Sequence, residues 1–220
     1  MSLPLAQLLR GLAVALLFGA WAVAAHYASS GNGSADVNAA LGVLPIAAAL
    51  TMLLWRIRNP FASAAGGLCA LLLLAWLWPQ LRSNVPLLYY LQHLGTHLAL
   101  GTLFGRSLLG PGEALITRIA RTVFGDISVR KQRYTRQVTV AWTIFFFANA
   151  LLSTALFLFA PPAIWSVHAN LLTAPLIGLM FLGEHLVRLR KLPPEERPSF
   201  ITAIRAYRAS TQQGTTTVEH

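Results

Sequence analysis

A single cysteine, Cys69, stands in a chain of 220 residues. It has no partner for an internal disulfide, and a cysteine-based zinc cluster is excluded. Cys69 lies inside an apolar run, where free cysteine packs as a small hydrophobe; a redox or nucleophilic role is the weaker reading. Charge is scarce as well. Only 11% of residues are charged, against roughly 25% in an ordinary soluble domain. Acidic residues are fewest: 7 Asp and Glu face 17 Lys and Arg, giving a net charge of +10. The excess does not mark a nucleic-acid binder, because the basic residues are dispersed along the edges of hydrophobic runs, where membrane topology accounts for them. The sequence also has no Gly-x-Ser-x-Gly elbow, no His-Glu-x-x-His, no phosphate-binding Walker loop and no Gly-rich dinucleotide fingerprint. A His-x4-Asp pair of the glycerolipid acyltransferase type is missing too. No catalytic motif or cofactor-binding motif is present, and no metal-ligand set.

What the chain has is hydrophobic length. Hydrophobic residues make up 55% and the mean hydropathy is +0.58. Several runs approach the ~20 apolar residues that cross a bilayer. The expectation is an all-α polytopic membrane protein with about six transmembrane helices. The spans fall at residues 11–28, 39–55, 61–78, 85–104, 138–160 and 164–187. Residues 1–190 then form one transmembrane domain, and residues 191–220 a polar cytoplasmic tail that becomes Thr- and Gln-rich and disordered. A cleaved signal peptide is the rival for the first run, given Ala22, Ala24 and Ala25. Its length, and the spans that follow it, favour a retained helix.

Charge sorts the loops. With six spans, sixteen of the 17 basic residues fall on one face and only Arg82 on the other. The positive-inside rule then places both termini in the cytoplasm. The largest cytoplasmic piece is residues 105–137. Within it, Pro111 to Phe124 is expected to be a cytoplasmic amphipathic helix between spans 4 and 5. Pro111 sits in its first turn, Glu113 near its positive end, and Leu115, Ile116, Ile119, Ala120 and Val123 on its apolar face. Thr117 and Arg118 take other faces, Phe124 can anchor the helix, and Gly125 can end it.

Arg130, Lys131, Arg133, Tyr134 and Arg136 follow just before the fifth span. A plain basic flank with a belt tyrosine is one reading. The other is a site for an anionic group: a lipid head, a phosphopantetheine, or the acidic surface of an acyl carrier protein. Inside the spans, ionisable and amide groups are the default functional candidates. His93 and His97 share one helix face, as a packed pair more than as metal ligands. Asn149 and Asn170 are expected to bond between helices. Glu184, the one carboxylate inside a predicted span, pairs with Arg106 or Arg136, or acts as a general base. Trp142 and Trp165 are expected in the interfacial belts, and His168 carries no role.

Three segments, GRSLLGPGEALITRIAR, YTRQVTVAWTIFF and WSVHANLLTAPLIGLMFLGEH, resemble a small family of bacterial inner-membrane proteins encoded among aryl polyene and xanthomonadin-type pigment genes. The likeness covers roughly residues 100–190. His185 stands where that family carries an aromatic Tyr. The resemblance implies a pathway that uses acyl carrier proteins, ketosynthases and membrane acyltransferases, and not a particular chemistry. It marks Arg106, Glu113, Thr117, Arg118, Tyr134, Arg136, Trp142, Trp165, Asn170 and Glu184 as positions to test. The candidate site for an anion, lipid or carrier protein is therefore Arg106, Glu113, Arg118, Tyr134, Arg136 and Glu184. The expected partners are membrane lipids, an acyl carrier protein or other membrane biosynthetic proteins. The alternatives are a small lipid transporter using His93, His97, Asn149 and Asn170, and a membrane enzyme using Glu184.

Overall fold

A computed structural model describes residues 5–196; the expected disordered tail beyond them, with Arg197, Arg205 and Arg208, lies outside the described residues. All regular structure in the described residues is helical. In chain order the helices are α1 (Leu5–Ser29), α2 (Ala35–Trp55), α3 (Pro60–Ser83), α4 (Val85–Arg106), α5 (Leu115–Phe124), α6 (Val129–Phe159), α7 (Pro162–Ser166) and α8 (Thr173–Lys191). A π-helical segment, Val167–Leu172, joins α7 to α8, and a 3-10 turn, Pro194–Glu196, follows.

Five stretches are long and apolar enough to cross a membrane: Gln7–Ser29, Ala35–Trp55, Pro60–Ser83, Val129–Phe159 and Pro162–Lys191. Their outward surface is that of a membrane protein. Leu16, Leu17 and Phe18 are 64–71% exposed, and α3 buries no residue at all. Hydrophobic surface on this scale is compatible with a lipid environment. α4 is as long as the others but carries Gln92, His93, Thr96 and His97.

The helices overrun the expected spans. α3 continues through Pro79 to Ser83, where a connector was expected. α6 begins at Val129, so Arg130, Lys131, Arg133 and Arg136 stand on its opening turns. The helix expected from Pro111 begins only at Leu115. Residues 110–114 instead form a turn, and Glu113 is left outside the first turn. Hydroxyls from outside the helix fix that start: Leu115 N donates to Ser107 Oγ (2.9 Å) and Ile116 N to Thr139 Oγ1 (3.3 Å). These satisfy two amide donors that a helix start leaves open. The packed face of α5 also differs from expectation. Thr117 is buried and Ile119 is half exposed, because Thr117 Oγ1 meets Thr135 Oγ1 at 2.8 Å. Gly125 ends α5 at φ 71°, a conformation that favours glycine.

The chain divides into two compact units. The first holds residues up to 94 together with 152–175. Its core is small residues and aromatics: Ala25, Ala28 and Ala39 around Tyr89, Tyr90 and Trp165. The alanines let helix backbones approach closely. Gly42 of α2 does the same against α4, since a Cβ there would meet Leu88 Cδ2 at 2.8 Å. Pro45 interrupts the α2 hydrogen-bond ladder. One carbonyl of that turn, Gly42 O, accepts from Gln92 Nε2 at 2.9 Å.

The second unit holds residues 95–151 together with those from 176 on. Its core follows one stripe of α6: Tyr134, Val138, Trp142, Phe146 and Ala150 are all buried at a spacing of four. Leu100 and Phe104 of α4, Ile116 of α5, and Ile177 and Met180 of α8 pack on it. Trp142 is thus not a belt residue but the hub of an aromatic cluster with Phe104, Phe145, Phe146 and Phe181. Trp165, in the first unit, is fully buried between Tyr90 and Phe157, and its Nε1 donates to Ser153 Oγ at 3.0 Å. That internal partner removes the need for water at the indole, which is what draws tryptophan to an interface.

Candidate functional site

Two of the six predicted site residues meet. In the second unit, Tyr134 of α6 donates from its hydroxyl to Glu184 Oε1 of α8 at 2.6 Å. The Glu184 backbone carbonyl is 3.0 Å from the same hydroxyl. A hydroxyl has one proton, so the nearer, charged oxygen takes it. Arg188 Nε approaches Glu184 Oε1 at 3.7 Å, one turn further along α8. Arg188 also meets His185 Nδ1 at 3.0 Å. Glu184 thus pairs with Tyr134 and Arg188, and not with Arg106 or Arg136. Arg136 instead donates from its guanidinium to Leu108 O at 3.2 Å.

The other predicted residues take other places. Arg106 is exposed at the end of α4. Glu113 pairs with Arg121 at 2.6 Å. Arg118 is exposed on α5. Sequence reasoning missed the apolar residues beside Tyr134, though it singled out Arg130, Arg133 and Glu184. A hollow of about 350 Å³ runs between α6 and α8, lined by Tyr134, Val138, Ala141, Leu179, Met180 and Glu184, among others. A second hollow, of about 370 Å³, is lined by Val129, Arg130, Arg133, Tyr134, Gln137 and Lys191. The two share Tyr134, Gln137 and Lys191. An apolar trough therefore adjoins a basic one. Gln137 Oε1 accepts from Lys191 Nζ at 2.8 Å, which ties the rims together at the junction.

The electrostatics of the basic end are uneven. Lys191 lies in the last turn of α8, where a cation is favoured by the helix dipole. Arg130 and Arg133 lie in the opening turns of α6, at the positive end of that helix, where cations are disfavoured by about 0.3–1 kcal/mol each. Lys131 is held apart from them, its Nζ 4.3 Å above the Phe124 ring.

The polar residues inside the spans fall in both units, each in a packed contact. In the first unit, His93 Nε2 meets Thr173 Oγ1 at 3.1 Å, and its ring stands edge-on to His168 at 5.7 Å. Asn170 donates to Ser29 Oγ of α1 at 2.9 Å, a bond between helices as expected. In the second unit, His97 packs edge-on to Phe146 at 6.1 Å. Asn149 departs from expectation: its Nδ2 donates to Phe145 O, within its own helix. Nothing was read into His168, and a cluster of hydroxyls around Ser166 was overlooked. Ser166 Oγ lies 2.7 Å from His26 Nδ1 and 2.9 Å from Ser30 Oγ. These bonds gather where the π-helical segment widens the helix, a feature that often accompanies function. Ser166 is fully buried, so the group acts in packing.

Comparison with protein-family models, curated proteins and solved structures finds no match.

Proposed function

We propose that this chain is a six-span component of a bacterial inner membrane, with both termini cytoplasmic, that holds an anionic amphiphile in the α6–α8 trough. The carrying observation is that the two hollows adjoin at Tyr134, Gln137 and Lys191. An apolar tail lies along Val138, Ala141, Leu179 and Met180, and an anionic head sits against Arg130, Arg133 and Lys191. Each cation near the leaflet surface contributes about 1 kcal/mol to such a head, and arginine adds bidentate geometry for phosphate or carboxylate. The Tyr134–Glu184 bond fixes the trough wall. In the pathway that the family resemblance implies, the ligand is a polyene-lipid intermediate, delivered by an acyl carrier protein whose acidic surface meets the exposed Arg106 and Arg118.

The test uses a long-chain fatty acid carrying a diazirine on its tail, photolysed with the protein in nanodiscs. Labelled peptides should come from α6 and α8 around Val138 and Leu179. Arg130→Gln with Arg133→Gln should cut the yield about tenfold. Equal labelling in wild type and the double variant overturns the reading.

One observation favours a second reading, a membrane enzyme acting through Glu184: Tyr134 and Glu184 both line the trough, with hydroxyl and carboxylate 2.6 Å apart. The two readings separate on Glu184→Gln. A binding component keeps its photolabelling and its pigment; an enzyme keeps the labelling and loses the pigment.

A further inference from the structure

A different groove, in the first unit, has the form of a second lipid site and does not depend on the reading above. A hollow of about 470 Å³ lies between α2 and α3, with Leu88 of α4 at its floor. Its α2 wall runs from Val43 to Leu54, about 16 Å at 1.5 Å per residue. Its α3 wall runs from Gly67 to Leu81. The trough is shaped by small side chains, Ala47, Gly67 and Ala70, set among leucines. Its one polar lining residue, Thr51, turns its hydroxyl into its own helix, donating to Ala47 O at 2.8 Å. The wall is thus hydrocarbon along its whole length, and one helix-pair groove wide.

One end is not closed by hydrocarbon. Thr51 and Leu54 also line a wider hollow of about 530 Å³, with Trp55, Ile57, Arg58, Pro60 and Ser63 around it. Trp55 and Phe61 stand 86% and 84% exposed beside it, as aromatics do at headgroup level. Arg56 and Arg58 supply the charge, and among the described residues no carboxylate forms an ion pair with either. The chemistry runs from apolar trough to cationic mouth. The mouth is much larger than a carboxylate needs and has room for a phosphodiester with its glycerol.

We infer that the α2–α3 groove holds one acyl chain of an anionic glycerophospholipid, with its phosphate on Arg58. The occupant is retained as a part of the fold: α3 buries no residue of its own, and the chain fills the seam that joins it to α2.

The experiment is native mass spectrometry of the full chain, released from nanodiscs made of equal parts phosphatidylglycerol and phosphatidylcholine with a trace of palmitate. Wild type should retain one phosphatidylglycerol. Arg58→Gln, at an exposed turn that tolerates the change, should lower its occupancy at least tenfold. Ala70→Phe, which fills the trough, should do the same; circular dichroism checks that its helices persist. Arg130→Gln with Arg133→Gln should leave occupancy unchanged, which separates this groove from the α6–α8 trough. Equal retention of phosphatidylcholine, retention of palmitate in place of phospholipid, or wild-type occupancy in Arg58→Gln overturns the inference.

Discussion

Glu184 shows why a side chain can be singled out correctly and given the wrong partner. Its rarity as a carboxylate in a predicted span was plain in the sequence. Its neighbours were sought among arginines on the same side of the membrane. Sidedness fixes height and says nothing of rotation about the helix. The turn-by-turn rule names Arg188, four residues on, and only the α6–α8 packing brings Tyr134 to 2.6 Å. The bond is charge-assisted, and Tyr134→Phe should destabilise the protein by about 1.5–3 kcal/mol. Glu184→Gln keeps an acceptor and should cost less. Thermal unfolding in detergent of both single variants and the double should show coupling of at least about 0.5 kcal/mol; additive effects would mean the bond contributes nothing. Trp165 and Trp142 were misplaced for a related reason. An indole near a span end looks interfacial until an internal acceptor such as Ser153 is found. Trp165→Phe should cost about 1 kcal/mol for that lost bond, and Trp165→Ala about 3–5 kcal/mol for the cavity. Equal losses in the two would show that the hydrogen bond, and not the ring, does the holding.

Helices were easier to see than their ends. Hydrophobic length revealed each long helix, because length survives any ignorance of packing. The start of α5 did not survive it. Pro111 and Glu113 make a plausible first turn on local chemistry, yet the helix opens at Leu115 because Ser107 and Thr139 present hydroxyls there. Those acceptors are 8 and 23 residues away, beyond any local signal. The same contacts put Thr117 inside and Ile119 outside. If distant caps hold α5 in place, Ser107→Ala and Thr139→Val should each loosen it by about 0.5–2 kcal/mol, the usual worth of a cap. Limited trypsin digestion reads this directly at the exposed Arg118 and Arg121. Cleavage there should quicken several-fold in each variant, with the long helices uncut; unchanged cleavage would place the anchor of α5 elsewhere. The π-helical segment was equally hidden, since nothing in its composition marks it; its Asn170 bonds to Ser29 of α1 and its His168 packs on His93 of α4, far off in the chain.

The number of spans decides where the basic segment lies, and α4 decides the number. Hydropathy averages a helix as though every side chain met lipid. In α4 most of the larger polar side chains are turned inward, though Thr96 is exposed: Gln92 bonds Gly42 O, His93 meets Thr173, Tyr89 donates to Asn38 O and Tyr90 to Thr154. Its outward residues include Leu91, Leu98 and Leu103, each 41–54% exposed. Lipid therefore meets a more apolar surface than the average implies, and satisfied polar groups do not bar a helix from the bilayer. The charge distribution argues the same way. Were α4 not to cross and the N-terminus to stay cytoplasmic, the seven basic residues of residues 105–137 would face outward, against the positive-inside rule. With Cys69 replaced by Ser, single cysteines at Ser34 and Ser128, both exposed, distinguish the cases. In intact spheroplasts a membrane-impermeant maleimide should label the Ser34 position and leave the Ser128 position untouched until the membrane is permeabilised. Labelling of neither would mean five spans with the N-terminus outside; labelling of both without permeabilisation would mean five spans with the N-terminus inside. The α6–α8 trough would then open its basic end to the outside, out of reach of any carrier protein in the cytoplasm.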